Sequence, residues 1–215
     1  MALKETVDLS GSNKNSLATF VVDITNREAV ENFKEQAIAR FGAVDGIINN
    51  AGIIQPFVKF QDLTYDVIER VFNVNLWGTV YMTKTFLPHL LSRPEAHIVN
   101  ISSMGGFLPV PGQTIYGGAK AAVKLITEGL RSELLNSNVK VTVIFPGAIN
   151  TNIMANSGLK VETNAVNHAN KALLPSIAAE IIVSAMETNK TRVFVGKDAK
   201  FMDFLVRLNP AKASK

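Results

Sequence analysis

Two periods of apolar residues alternate along this chain. Residues 18–22, Ala-Thr-Phe-Val-Val, form a short apolar run closed by Asp23, the pattern of a buried parallel strand. Thr25-Asn26-Arg27-Glu28 then reads as a capping box. Val30, Phe33, Ala37, Ile38 and Phe41 give the helix it opens one apolar face, and Gly42 ends it. A strand over 46–49 runs into the turn Asn49-Asn50-Ala51-Gly52. The pattern then predicts a long helix over 65–91, a strand over 97–101, a helix over 114–135 and a strand over 141–145. After Pro146-Gly147 an irregular polar stretch extends to 170. A helix over 176–186, a strand over 192–195 and an apolar-faced helix over 201–208 complete the chain. Strands alternating with helices predict an α/β fold, a parallel sheet covered on both faces in three layers. No repeat, low-complexity tract or linker interrupts it, so residues 1–215 read as one domain.

Composition narrows the chemistry. With 215 residues, 47% of them hydrophobic, the chain can bury a sizeable core. The absence of cysteine excludes disulfides, thiolate metal ligands and a cysteine nucleophile, and fits the cytoplasm. His89, His97 and His168 form no close pair of metal ligands, so no metal site is expected. The net charge of +4 is dispersed, which suits a solvated surface and anionic small ligands and gives no support to a nucleic-acid binder. No apolar run approaches the ~18 residues of a membrane span. The opening residues also lack the apolar stretch of a signal peptide.

Ligands of parallel sheets bind beyond the carboxyl ends of the strands. Asp23, Asn50, Ser103 and the segment from Pro146 to Thr151 all fall there. Tyr116 and Lys120 stand four apart, on one face of the expected helix. Alone, such a pair is equally an amphipathic surface pair. Ser103 would by itself be a strand-end turn serine, and Asn50-Ala51-Gly52 a plain turn. Asn75, in Val-Asn-Leu-Trp-Gly, is a poor residue for a helix interior, so it is exposed or held for a purpose. The order of these four signals along the chain is what makes them specific.

Taken together, Asp23-Ile24, Asn49-Asn50-Ala51-Gly52, Asn75-Leu76-Trp77-Gly78, the run from Val99 to Ser103, Tyr116-Gly117-Gly118-Ala119-Lys120 and Pro146-Gly147-Ala148-Ile149-Asn150-Thr151 resemble the short-chain dehydrogenase/reductase family. The resemblance implies a Rossmann-like, doubly wound sheet. It implies an oxidoreductase that interconverts a secondary alcohol and a ketone or aldehyde with NAD or NADP. Tyr116 would be the acid/base, and Ser103 would polarise the substrate oxygen. Lys120 would bind the nicotinamide ribose and lower the Tyr116 pKa, while Asn75 would hold a water of a proton relay. Asp23, with Ile24, would meet the adenine, and Asn50, Ala51 and Gly52 would line the ribose region. Pro146, Gly147, Ile149 and Thr151 would contact the nicotinamide. Bringing a phenol from about 10 to about 7 takes roughly 4 kcal/mol. One ammonium about 4 Å away at an effective dielectric near 20 supplies about that much.

The family's opening Gly-rich turn has no counterpart here: residues 11–16 hold no second glycine. The expectation is a truncated domain lacking its first strand-helix-strand unit, with the pyrophosphate's main anchor gone and the choice between NAD and NADP unreadable. The competing reading is a catalytically inactive fragment or partner protein that cannot bind cofactor. Residues 155–170 are expected to form a lid over the substrate. Met154, Leu159 and Val161 suit an apolar substrate or ordinary loop packing, and Phe107, Leu108 and Val110 suit another apolar wall. The long helices over 65–91 and 114–135 imply, through the family, a homodimer or homotetramer. The apolar 201–208 segment would join an interface or pack on the core.

Overall fold

A computed structural model describes residues 2–11, 16–108, 110–159 and 172–213. After helix α1 (Ala2–Leu9) come α2 (Arg27–Phe41), β1 (Gly46–Asn49), α3 (Tyr65–Phe72), α4 (Gly78–Leu91) and β2 (Ala96–Ile101). They are followed by α5 (Thr114–Glu133), β3 (Val139–Pro146), α6 (Ile153–Asn156), α7 (Pro175–Glu187), β4 (Arg192–Val195), α8 (Lys197–Leu208) and α9 (Pro210–Ala213). The four strands pair in parallel in the order β1-β2-β3-β4. Each crossover therefore carries at least one helix, as parallel neighbours require.

The two faces of the sheet bury separate clusters. Ile47, Ile98, Val139 and Val141 pack with Phe86 and Leu90 of α4, and with Leu130 of α5. On the other face Val99, Ile101, Ile144, Val193 and Val195 pack with Ala178 and Ala185 of α7. β2 is buried at all six positions, the continuous run expected of a strand covered on both sides. The result is the expected α/β layering, with helices on both faces of a parallel sheet.

Three local expectations change. Residues 18–22 belong to no strand. They keep a strand's alternation, with Phe20 set edge-on against Phe33 at 5.3 Å and Val21 93% exposed. Apolar alternation makes a strand only where a ladder partner lies alongside, and β1 is the outermost strand on this side among the described residues. The cap of α2 shifts to Asn26, whose Oδ1 accepts from Ala29 N–H at 3.0 Å. Asp23 has drawn Thr25 into its own turn, accepting from the Thr25 amide at 2.9 Å and its hydroxyl at 2.7 Å. Gly42 closes α2 at φ 79°, a backbone state that suits glycine.

The long helix expected over 65–91 is divided. A π-helical turn, Asn73–Trp77, separates α3 from α4. Such single π turns concentrate at functional sites, and this one carries Asn75.

Beyond β2 the chain makes a short 3₁₀ turn, Met104–Gly106, pressed onto α5. A Cβ at Gly106 would stand 2.8 Å from Ser102 Oγ and 2.9 Å from the Lys120 carbonyl carbon and oxygen. The Ser102 hydroxyl donates to that same carbonyl at 2.8 Å. Backbone on one side and a committed hydroxyl on the other leave no room to yield. Gly106→Ala is expected to cost about 2 kcal/mol and to lower Tm by about 5 °C in thermal unfolding followed by circular dichroism.

Candidate active site

The carboxyl ends of β1, β2 and β3 open onto a cavity of about 490 Å³. Asn50, Ala51 and Gly52 line it after β1, and Ser103 after β2. Tyr116 and Lys120 reach it from α5, Pro146 lines it at the end of β3, and Gly147, Ile149 and Thr151 line it beyond. Residues scattered over a hundred positions are gathered because each follows a strand of one parallel sheet.

α5 sets the central pair. Its i, i+4 spacing puts Tyr116 and Lys120 on one face, and Lys120 is pinned at both ends. Its carbonyl accepts from Ser102, while its Nζ donates to the carbonyl of Ile101 at 2.9 Å. Lys120 is only 4% exposed, and burial brings its pKa down from 10.5 to about 8. An ammonium stripped of water is disfavoured, and the single carbonyl does not replace a full hydration shell.

Tyr116 is shifted the opposite way from expectation. Burial pushes its phenol above the usual 10.0, with a hydrogen bond to the Ser103 side chain pulling back. The neighbouring ammonium is not among the causes of its shift. Tyr116 is therefore protonated at neutral pH. Ser103 itself is oriented by accepting from Gly105 N–H at 3.0 Å.

Asn75 is fully buried, and both of its side-chain groups are engaged. Its Oδ1 accepts from Ile53 N–H at 2.9 Å and its Nδ2 donates to Ile53 carbonyl oxygen at 2.8 Å. The asparagine that suits a helix interior poorly is thus a two-point clamp on the turn after β1. A Cβ at Gly52 would lie 3.0 Å from Asn75 Oδ1 and 3.3 Å from Lys120 Nζ. Glycine leaves that turn open beside the ammonium.

Asp23 and Ile24 do not line this cavity. Asp23 is at the surface, its pKa lowered by the Thr25 hydroxyl and amide. Ile24 covers Gly78 at the start of α4. Met154 and Leu159 are not among the lining residues, and Val161 and His168 lie outside the described residues with most of the expected lid. Phe107, Leu108 and Val110 border a separate cavity of about 430 Å³. Phe107 is drawn there by edge contacts with Phe145 and Phe194. His89 accepts from Val44 N–H through Nε2, and His97 Nε2 pairs with Thr142 Oγ1. Both of these histidines are used within the fold.

Several supporting residues escaped the sequence reading. Asn49 and Asn100, opposite each other in the β1–β2 ladder, share a 2.7 Å bond that continues to Thr83 and Thr127. Asp198 accepts from Ala148 N–H at 2.7 Å and fixes the segment after β3. The hydroxyl of Ser157 accepts from Ile54 N–H at 2.9 Å. Gln55, completely buried, accepts from the amides of Ile115 and Tyr116. For Asn49 and Asn100, a polar residue inside an otherwise apolar strand is a legible signal. The others show none in sequence, because their partners lie tens of residues away. No helix among the described residues is long and apolar enough to cross a membrane.

Residues 2–162 match the family model for short chain dehydrogenases. SadH of Mycobacterium tuberculosis, provisionally named an oxidoreductase, is 38% identical over 218 aligned positions, which cover 96% of this chain and 77% of SadH. A short chain dehydrogenase/reductase of Burkholderia phymatum, solved in complex with NAD, superposes with a TM-score of 0.86 at 23% identity. That match covers 100% of this chain and 83% of the other, and it is a likeness of fold. A serine dehydrogenase solved in its closed form with NADP+ superposes at 0.75 with 28% identity, over 90% of this chain and 79% of its own. The chain belongs to the short-chain dehydrogenase family of oxidoreductases.

Proposed function

We propose that this chain interconverts a secondary alcohol and a ketone or aldehyde with NAD or NADP, with Tyr116 as the acid/base. The observation that carries the reading is the meeting of Tyr116, Lys120 and Ser103 at one cavity at the carboxyl ends of the strands. The residues present fit the nicotinamide–ribose half of such a cofactor. Lys120 is a buried cation able to donate to ribose hydroxyls, and Gly52 leaves the turn beside it clear. Asn50 and Ala51 complete the ribose side. Pro146, Gly147, Ile149 and Thr151 form the wall against the nicotinamide. A related serine dehydrogenase holding NADP+ supports the cofactor class.

The bound cofactor supplies or accepts the hydride. The chain's own residues manage one proton. Ser103 holds the carbonyl oxygen by its hydroxyl, and Tyr116 gives that oxygen its proton. Lys120, with a pKa of about 8, can return a proton toward the phenolate near neutral pH. In the alcohol-oxidising direction the same steps reverse. Asn75 fixes the turn that faces the ammonium, and a relay water reaching Lys120 there belongs to the same proposal. The inactive-fragment alternative is not favoured, since Ser103, Tyr116 and Lys120 line one cavity.

The test is direct. The chain is titrated with NADH and NADPH up to millimolar concentration, followed by cofactor fluorescence. It is then assayed for oxidation of each by 2-butanone, cyclohexanone and acetophenone. Saturable binding and ketone-dependent oxidation are expected. A chain that is folded by circular dichroism yet binds neither cofactor would falsify the reading.

A further inference from the structure

Helix α5 begins without a cap of its own. Its N-cap residue, Gln113, makes no side-chain bond to the first turn and instead donates through Nε2 to the carbonyl of Gln55 at 2.9 Å. The amides left open in a first turn are those an N-cap side chain would satisfy, at the second and third helical residues. Here those residues are Ile115 and Tyr116. Both amides donate to one oxygen, Gln55 Oε1, at 2.8 and 3.0 Å. The same side chain donates through Nε2 to Gly112 carbonyl oxygen at 2.9 Å. Gln55 is 0% exposed, so the contacts have no competition from water. Pro56 follows it and favours an extended backbone at Gln55.

We propose that Gln55 is a positioning residue for Tyr116. It acts as an N-cap delivered from the turn after β1 to a helix sixty residues away in sequence. The inference rests on the reading of Tyr116 as the acid/base. The residues beside Gln55 are anchored as well. Ile53 is clamped by Asn75, and Ile54 donates to Ser157. Residues 53–55 thereby tie the π turn, the end of α6 and the start of α5 to one short segment. Of these contacts, the Gln55 bond alone ends on the backbone of the tyrosine. Loss of that acceptor frees the first turn of α5 and lets the phenol drift from Ser103, whereas Lys120, a full turn further on, stays fixed by Ile101 and Ser102.

The test compares Gln55→Met, Gln55→Asn and Gln55→Glu with the wild type and with Tyr116→Phe, in ketone reduction with NADH or NADPH. Met keeps the length but offers only a weakly accepting thioether, Asn is one methylene too short, and Glu keeps both acceptor contacts. Met and Asn are expected to lower kcat about a hundredfold with KM for the cofactor little changed. In both, deuterium exchange at the Ile115 and Tyr116 amides should accelerate selectively, and the phenolate absorbance titration of Tyr116 should shift. Glu should recover most of the lost rate and the amide protection. If Met fails to fold, the Asn and Glu pair decides. Wild-type kcat in folded Gln55→Met or Gln55→Asn overturns the proposal, as does a Glu variant no faster than these two. Wild-type kcat in Tyr116→Phe would instead remove the acid/base reading, while the exchange data would still report whether Gln55 caps the helix.

Discussion

Tyr116→Phe is expected to lower kcat for ketone reduction about a thousandfold, while NADH and NADPH bind within a few-fold of the wild type. The substitution removes one hydroxyl and keeps the ring, so the cavity and the path of α5 stay as they are. In the proposed reaction, what disappears is the proton that the carbonyl oxygen would receive. In the structure that proton is held firmly, because burial sets the phenol above its ordinary pKa and only the Ser103 bond opposes this. The resting group is therefore a protonated phenol at neutral pH, which is what the proposed reducing direction requires. Stability should change little. The lost hydrogen bond to Ser103 is worth about 1 kcal/mol and is offset by no longer burying a hydroxyl. Single-turnover reduction followed by NADH absorbance, together with a fluorescence titration, separates the two effects. A phenylalanine variant with near-wild-type kcat would assign the proton to another group.

Much of this site was legible from residue order, and the reason is geometric. In a parallel sheet the carboxyl ends of the strands point the same way, so Asn50, Ser103 and Pro146 had to converge once their strands were placed. β1 and β4 came out residue for residue, since the short apolar cores Ile47-Ile48 and Val193-Phe194-Val195, each set between turn residues, leave little choice of boundary. The errors lie where a property depends on something outside the local pattern. Residues 18–22 carry a strand's alternation, yet a ladder needs a neighbour that no periodicity supplies. The π turn at Asn73–Trp77 inserts its extra residue without breaking the apolar face of the helix, so the 65–91 pattern reads as continuous. Asn75 stands out in the sequence as a polar residue misplaced in a helix, but its partner, the Ile53 peptide, is a tertiary fact. Lys120 shows the limit most clearly. Coulomb's law points to a phenol lowered by Lys120 together with a nicotinamide cation, while desolvation of the phenol itself pushes the other way, and burial is visible only in the fold.

That same burial makes Lys120 a stability liability, and Lys120→Met should expose it. The folded chain holds this amine at a pKa of about 8 against an ordinary 10.5. Between those values the unfolded chain binds the extra proton, so wild-type stability rises with pH across the window. Below about pH 8 both states are protonated and the penalty is present in full, about 3 kcal/mol by the proton linkage; above 10.5 it vanishes. Methionine removes the buried cation at similar volume, but it orphans the Ile101 carbonyl that Nζ now satisfies, at about 1–2 kcal/mol. The balance predicts a variant more stable than the wild type by about 1–2 kcal/mol at pH 7. At pH 10.5 the order should invert, the two stability curves crossing inside the window. If Lys120 has its proposed roles in proton return and ribose binding, catalysis moves the other way, with kcat reduced at least a hundredfold. Urea unfolding at both pH values, beside the ketone assay, measures the two effects. A variant less stable than the wild type at pH 7 would show that the lysine is not a destabilising buried cation. A slope of wild-type stability with the opposite sign between pH 8 and 10.5 would show the same.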